Sequence, residues 1–182
     1  MSRTWILTAL GKDQPGIVAA VTKILFECGA NLEDSSMARL AGEFTMMVNF
    51  SLPAARTTEE LERAFAPLRR RRLVVHVKAL LPGEQRVTRV GAPYMISVYG
   101  ADKPGIVYRV TSVLAKYGVN ITGVSTHRTM PNASGRLSLY SMILEAELPP
   151  TLKPTVLARK FRAMARSLKV EISFHAADAT IL

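Results

Sequence analysis

Two short segments carry residue types that could do chemistry. Asp13-Gln14-Pro15-Gly16 and Asp102-Lys103-Pro104-Gly105 each follow an apolar run rich in β-formers and precede a stretch with helical spacing, so each lies where a helix begins. The first-turn N–H groups of a helix lack intrahelical partners and sit at the positive end of its dipole, a combination that favours a carboxylate. Proline suits such a turn because it has no N–H to leave unpaired, and glycine lets a ligand approach the backbone. Asp13 or Asp102 could accept a hydrogen bond from an ammonium group beside it. That combination suits a zwitterionic amino acid. Asn31 and Asn120, read as entering the second strand beside the loop, could offer an amide to the same ligand. A plainer reading uses the same residues: Asp-x-Pro-Gly is a good helix start, with Asp as cap.

The two segments belong to a repeat. Gly11-Lys12-Asp13-Gln14-Pro15-Gly16-Ile17-Val18 recurs 89 positions later as Gly100-Ala101-Asp102-Lys103-Pro104-Gly105-Ile106-Val107. At the same offset Val21-Thr22, Leu25, Gly29 and Asn31 face Val110-Thr111, Leu114, Gly118 and Asn120, while Ser36 and Arg39 face Ser125 and Arg128. The chain is therefore two copies of one unit. A cap alone could be Ser, Thr or Asn, yet both copies keep Asp, Pro, Gly and the distant Asn, as duplicates that have not diverged far would also do.

Each copy must position its loop with the same elements. Residues 5–10 and 94–99 are short apolar runs stopped by a glycine, hence first strands. Ile17, Val18, Val21, Ile24, Leu25 and Cys28 then recur at helical spacing, as do Ile106, Val107, Val110, Val113, Leu114 and Tyr117. Gly29 and Gly118 supply the left-handed residue that ends such a helix. A second strand over 31–40 turns at Ala41-Gly42 into a third over 43–52, a hairpin. Its counterpart, strands 121–129 and 137–148, has a longer loop at 130–135. Helices are predicted over 57–71, with a capped start at Thr57-Thr58-Glu59-Glu60, and over 152–168. Strands 73–80 and 169–176 close the copies. The order βαββαβ is the split-βαβ, ferredoxin-like arrangement: an α+β fold with two helices on one face of a four-stranded antiparallel sheet. Right-handed crossovers place the strands that precede helices at its centre. The expected domains are residues 1–81 and 93–182, joined by a turn-rich linker at 82–92.

Composition bounds the rest. The chain has 182 residues, 48% hydrophobic and 21% charged, enough for globular cores without disulfides. With one cysteine and three histidines it has no cluster at metal-ligand spacing, and neither a metal nor a cofactor is expected. No nucleophile elbow, phosphate-binding loop or dinucleotide fingerprint is present, which argues against an enzyme. No stretch near the start has the length of a signal-peptide core or membrane span, so a reduced, cytoplasmic compartment is the expectation. His76, His127 and His175 are read as surface residues, and the methionines, Met46-Met47 included, as core filling.

The formal charge is +10. Arg69-Arg70-Arg71-Arg72 closes one helix, and Arg159, Arg162, Arg166 and Lys169 fall near one face of another. Neither stretch interleaves aromatics and no nucleic-acid-binding signature appears, which argues against direct sequence-specific DNA binding. A solvated helix face, an acidic protein partner and nonspecific nucleic-acid contact are the readings left open.

Taken with the repeat, the chain resembles tandem ACT-domain proteins and, more narrowly, the glycine cleavage system transcriptional repressor family. The narrower likeness rests on Asn31-Leu32-Glu33-Asp34-Ser35-Ser36-Met37-Ala38-Arg39-Leu40-Ala41-Gly42-Glu43-Phe44 and on Asn120-Ile121-Thr122 with its longer hairpin. The resemblance implies an amino-acid ligand, glycine first among candidates, held at domain interfaces by the first loop and the start of strand two. By position these residues are Asp13, Gln14, Pro15, Gly16 and Asn31, and Asp102, Lys103, Pro104, Gly105 and Asn120. Gln14 against Lys103 implies that the two sites differ. The resemblance further implies a transcription-factor or other protein partner, with module pairing inside one chain or across a homodimer left open. The other reading is a constitutive assembly scaffold that binds no ligand.

Overall fold

The computed structural model describes residues 2–53, 55–81, 91–129 and 138–177. Two compact units, Met1–Val87 and Thr88–Leu182, each have their own core.

In the first unit strand β1 is Ser2–Lys12, helix α1 Ile17–Glu27, β2 Asn31–Leu40, β3 Glu43–Pro53, helix α2 Thr58–Phe65 and β4 Leu73–Ala79. The second repeats this as β5 Ala92–Ala101, α3 Ile106–Lys116, β6 Asn120–Arg128, β7 Leu139–Leu148, α4 Pro154–Leu168 and β8 Val170–Ala176. The sheets are antiparallel, in the orders β2-β3-β1-β4 and β6-β7-β5-β8. The strands that precede helices are central, as crossover handedness requires.

Period-two burial gives each sheet one covered face. Trp5, Leu7 and Ala9 of β1 and Phe44, Met46, Val48, Phe50 and Leu52 of β3 pack with Ile17, Val21 and Leu25 of α1 and with Leu61 and Phe65 of α2. In the second unit Ile96, Val98, Met142 and Leu144 meet Val110, Leu114, Leu157 and Phe161. Each such large side chain contributes about 1.5–3 kcal/mol of transfer energy, opposed by chain entropy. Edge strand β2 is exposed along its whole length.

The capped start is present: the Thr57 hydroxyl accepts from the Glu60 N–H at 3.3 Å, and the Glu60 carboxylate accepts from the Thr57 N–H at 3.2 Å. Gly29 and Gly118 are left-handed after their helices, and Ala41 and Gly42, at φ 51° and 81°, make a mirror-image hairpin turn.

Four expectations need correction. The first strands run past Gly11 and Gly100; a Cβ on Gly11 would overlap the Arg72 carbonyl oxygen, so glycine there admits a close neighbour rather than ending the strand. The predicted helix 57–71 gives way at Ala66 to a short 3-10 helix, Ala66–Arg71, because Pro67 cannot donate the next helical bond. Met46 is buried but Met47 lies on the open face, about half exposed. Ala92 already belongs to β5, while residues 82–90 of the expected linker and the hairpin loop at 130–135 lie outside the described residues. His76, His127 and His175 are exposed. No described helix is long and apolar enough to cross a membrane.

Candidate functional site

The loops between β1 and α1 and between β5 and α3 are built alike. Gly16 and Gly105 sit at the helix entrances with φ of 82° and 86°, a region that costs any residue with a Cβ, and neither entrance is capped by a side chain. The Gly16 carbonyl accepts from the Ala20 N–H and the Gly105 carbonyl from the Arg109 N–H, both at 3.0 Å, so the helical ladder starts there. The amides of Ile17, Val18 and Ala19, and of Ile106, Val107 and Tyr108, belong to the turn that has no intrahelical acceptor.

Asp13 is not the cap that its spacing also allowed. Its N–H donates to the Gly42 carbonyl at 3.0 Å, tying the loop to the tip of the β2–β3 hairpin, and Asp102 donates likewise to Ser138 at 3.0 Å. Its carboxylate instead accepts from Arg39: Nη1 lies 3.2 Å from Asp13 Oδ2, and in the second unit Arg128 Nη1 lies 3.4 Å from Asp102 Oδ2. Both arginines stand at the far ends of strands β2 and β6. Arg39 and Arg128 match in the repeat, but spacing alone gives neither a role. An acid and a base facing each other beside open helix amides form a constellation complementary to both ends of a zwitterion.

Gln14 and Lys103 differ in chemistry but do one job. Gln14 Nε2 donates to the Arg71 carbonyl at 3.2 Å and Lys103 Nζ to the Leu168 carbonyl at 2.7 Å. Each acceptor precedes a left-handed residue, Arg72 or Lys169, that ends the second helical segment of its unit. These side chains thus pair with carbonyls left over at a helix end and pin the loop to it. Pro15, Gly16, Pro104 and Gly105 are exposed.

Asn31 and Asn120 are not beside the loops of their own units. Asn31 pairs with Ser51, which pairs with Thr4 near the start of β1, whereas Asp13 follows Lys12 at the other end of that strand. Eight residues of extended chain separate these ends by about 26 Å. Asn120 stands in the same relation to Asp102 through Glu147 and Pro93. Irregular pairing between Leu32 and Ser35, and between Ile121 and Gly123, places a bulge just after each asparagine.

The units differ behind the acid. Phe44 lies opposite Gly11 and Arg39, while the corresponding position opposite Gly100 and Arg128 is Tyr140. Burial first, then the Asp102 carboxylate, push the Tyr140 hydroxyl above its ordinary ionisation range, with the nearby Thr126 side chain acting in the opposite direction.

Comparison with known proteins gives a consistent picture. The ACT domain family matches residues 3–77 and again residues 94–158. The glycine cleavage system transcriptional repressor of Escherichia coli is 26% identical over 170 residues, covering 93% of this chain and 88% of that protein. An unknown protein from Galdieria sulphuraria, solved by crystallography, superposes with a TM-score of 0.83 at 27% identity, covering 97% of this chain and 99% of that one. A crystal structure described as a glycine cleavage system transcriptional repressor superposes with a TM-score of 0.68 at 20% identity over 97% of this chain and 98% of its own, a likeness of fold.

Proposed function

The chain belongs to the ACT domain family, present twice in tandem, and from that premise we propose that it is a non-enzymatic sensor whose ligand is a small amino acid, glycine being the first candidate. The ligand carboxylate meets the first-turn amides of α1 or α3 together with the guanidinium of Arg39 or Arg128. Its ammonium meets Asp13 or Asp102. Gln14 and Lys103 hold the loops in place, and Pro15, Gly16, Pro104 and Gly105 leave the backbone approachable. Asn31 and Asn120 remain candidates by resemblance, but a ligand held at Asp13 does not reach Asn31 of the same unit.

The observation that carries this reading is the duplicated acid–base pair at an uncapped helix entrance. The Arg39 side chain is 72% exposed and that of Asp13 31% exposed, so opening the pair costs about 1 kcal/mol or less. A zwitterion can therefore insert between its members. Binding changes function only if two states of the protein differ in ligand affinity. The coupled partner we propose is a transcription factor, because the E. coli relative is named a transcriptional repressor.

Isothermal titration with a panel of amino acids tests the ligand. Heat from one or a few small amino acids, lost in Asp13→Ala/Asp102→Ala with the fold intact, is the expected result. No heat from any of them at millimolar concentration removes it.

One observation favours a second reading, a constitutive scaffold: both aspartates already have a partner within the chain. Capture of the transcription-factor partner that does not change with added amino acid would support the scaffold.

A further inference from the structure

Helix α4 carries a charge pattern that the sensor does not use. Over Pro154–Leu168 it holds Arg159, Lys160, Arg162 and Arg166 and no acidic residue, and Lys153 and Lys169 flank it. Arg159, Arg162 and Arg166 follow one another at spacings of three and four, which sets them in one row on the helix, and Lys169, the left-handed residue just past its end, extends the run of positive charge to about 15 Å. Leu157, Phe161 and Leu168 face the core from the other side. All four residues are exposed, and among the described residues none has an acidic partner.

The helix dipole favours Arg166 and Lys169 at the C-terminal end, but nothing in the fold calls for Arg159 and Arg162. Like charges at these spacings disfavour a helix by a few tenths of a kcal/mol each. The duplication supplies a contrast: in the corresponding segment of the first unit α2 has Glu59, Glu60 and Glu62 against Arg63, and its arginines, Arg69 to Arg72, are consecutive in the 3-10 turn and its cap rather than spaced along one helix face. The cationic row is thus particular to the second unit.

We propose that this face of α4 is a docking surface for the phosphate backbone of duplex nucleic acid, bound without regard to sequence. Charge complementarity names a polyanion, and three of the four cations are arginines, whose forked guanidinium matches phosphate. The residues flanking the row, Thr155, Ala163 and Ser167, are small, and α4 presents no large exposed apolar side chain. A protein partner would need such anchors; a backbone of phosphates does not. Duplex DNA carries about nine phosphates over the length of the row, more than enough to engage it.

Fluorescence anisotropy with a short labelled DNA duplex of arbitrary sequence tests the proposal. Four phosphate contacts predict that log K falls against log salt with a slope of about −3.5, equally for unrelated sequences. Arg159→Gln/Arg162→Gln/Arg166→Gln should weaken binding about tenfold or more and flatten the slope to about −1. Arg69→Gln/Arg70→Gln/Arg71→Gln, with the same loss of net charge, should change it far less. Thermal melts establish that both variants fold. No saturable binding at low salt, or equal losses in the two variants, would overturn the proposal. So would competition by poly-glutamate as effective as that by unlabelled duplex, which would assign the surface to an acidic protein instead.

Discussion

Arg39, at the end of strand β2, reaches back across 26 residues to hold the carboxylate of Asp13 at 3.2 Å. The hairpin makes this contact: β2 starts at the end of the sheet remote from the helix entrance and runs toward it, so its last residues lie level with Phe44 and Gly11. Arg128 and Asp102 repeat it across the same separation at 3.4 Å. A structural cross-link and a ligand clasp predict different results on mutation. As a clasp, Arg39→Ala/Arg128→Ala abolishes the heat of amino-acid binding while changing unfolding free energy by less than about 1 kcal/mol per pair, since the pairs are exposed. Calorimetry and urea denaturation of the same variant check both halves.

Much of this was legible in the sequence because it depends on local pattern. Alternating burial along β1 and β3, the helical stripe of Ile17, Val21 and Leu25, the turn at Ala41-Gly42 and the capping box at Thr57 are each written in neighbouring residues. Pro67 is equally visible, but the periodicity of Leu61, Phe65 and Leu68 continues through it and hides its effect on the second helix. The pairing of Asp13 with Arg39 was not readable, since it depends on strand register across a hairpin. The same register overturns the placement of Asn31 beside the loop. A strand that follows a helix starts at the end of the sheet remote from that helix's entrance, and Asn31 is the first residue of such a strand.

The helix entrances rest on glycine at positive φ. Gly16→Ala should cost about 1–2 kcal/mol, because the methyl meets the backbone in the left-handed region. Gly11→Ala should cost at least as much, since its Cβ would displace the Arg72 carbonyl and the start of β4. Denaturation midpoints read both, and an Ala variant at Gly16 as stable as the parent would show that the loop relaxes to another conformation.

Tyr140 gives the second unit a pH dependence that Phe44 cannot give the first. The fold holds the neutral phenol more firmly than the unfolded chain does. Its contribution is therefore whole below the ordinary value of 10.0 and is lost as pH rises through the raised folded value. Tyr140→Phe should lose less stability than the parent between neutral and strongly alkaline pH. Parallel denaturation series at the two pH values test the difference, and identical losses would contradict it.

The central claim is that a zwitterion inserts between the paired acid and base at a helix entrance. A crystal structure grown with millimolar glycine tests it most directly. The account predicts density at one or both entrances, with the ammonium within hydrogen-bonding distance of Asp13 or Asp102 and the carboxylate against the first-turn amides and the displaced arginine. Both ion pairs intact, with glycine bound only elsewhere on the protein, would contradict it.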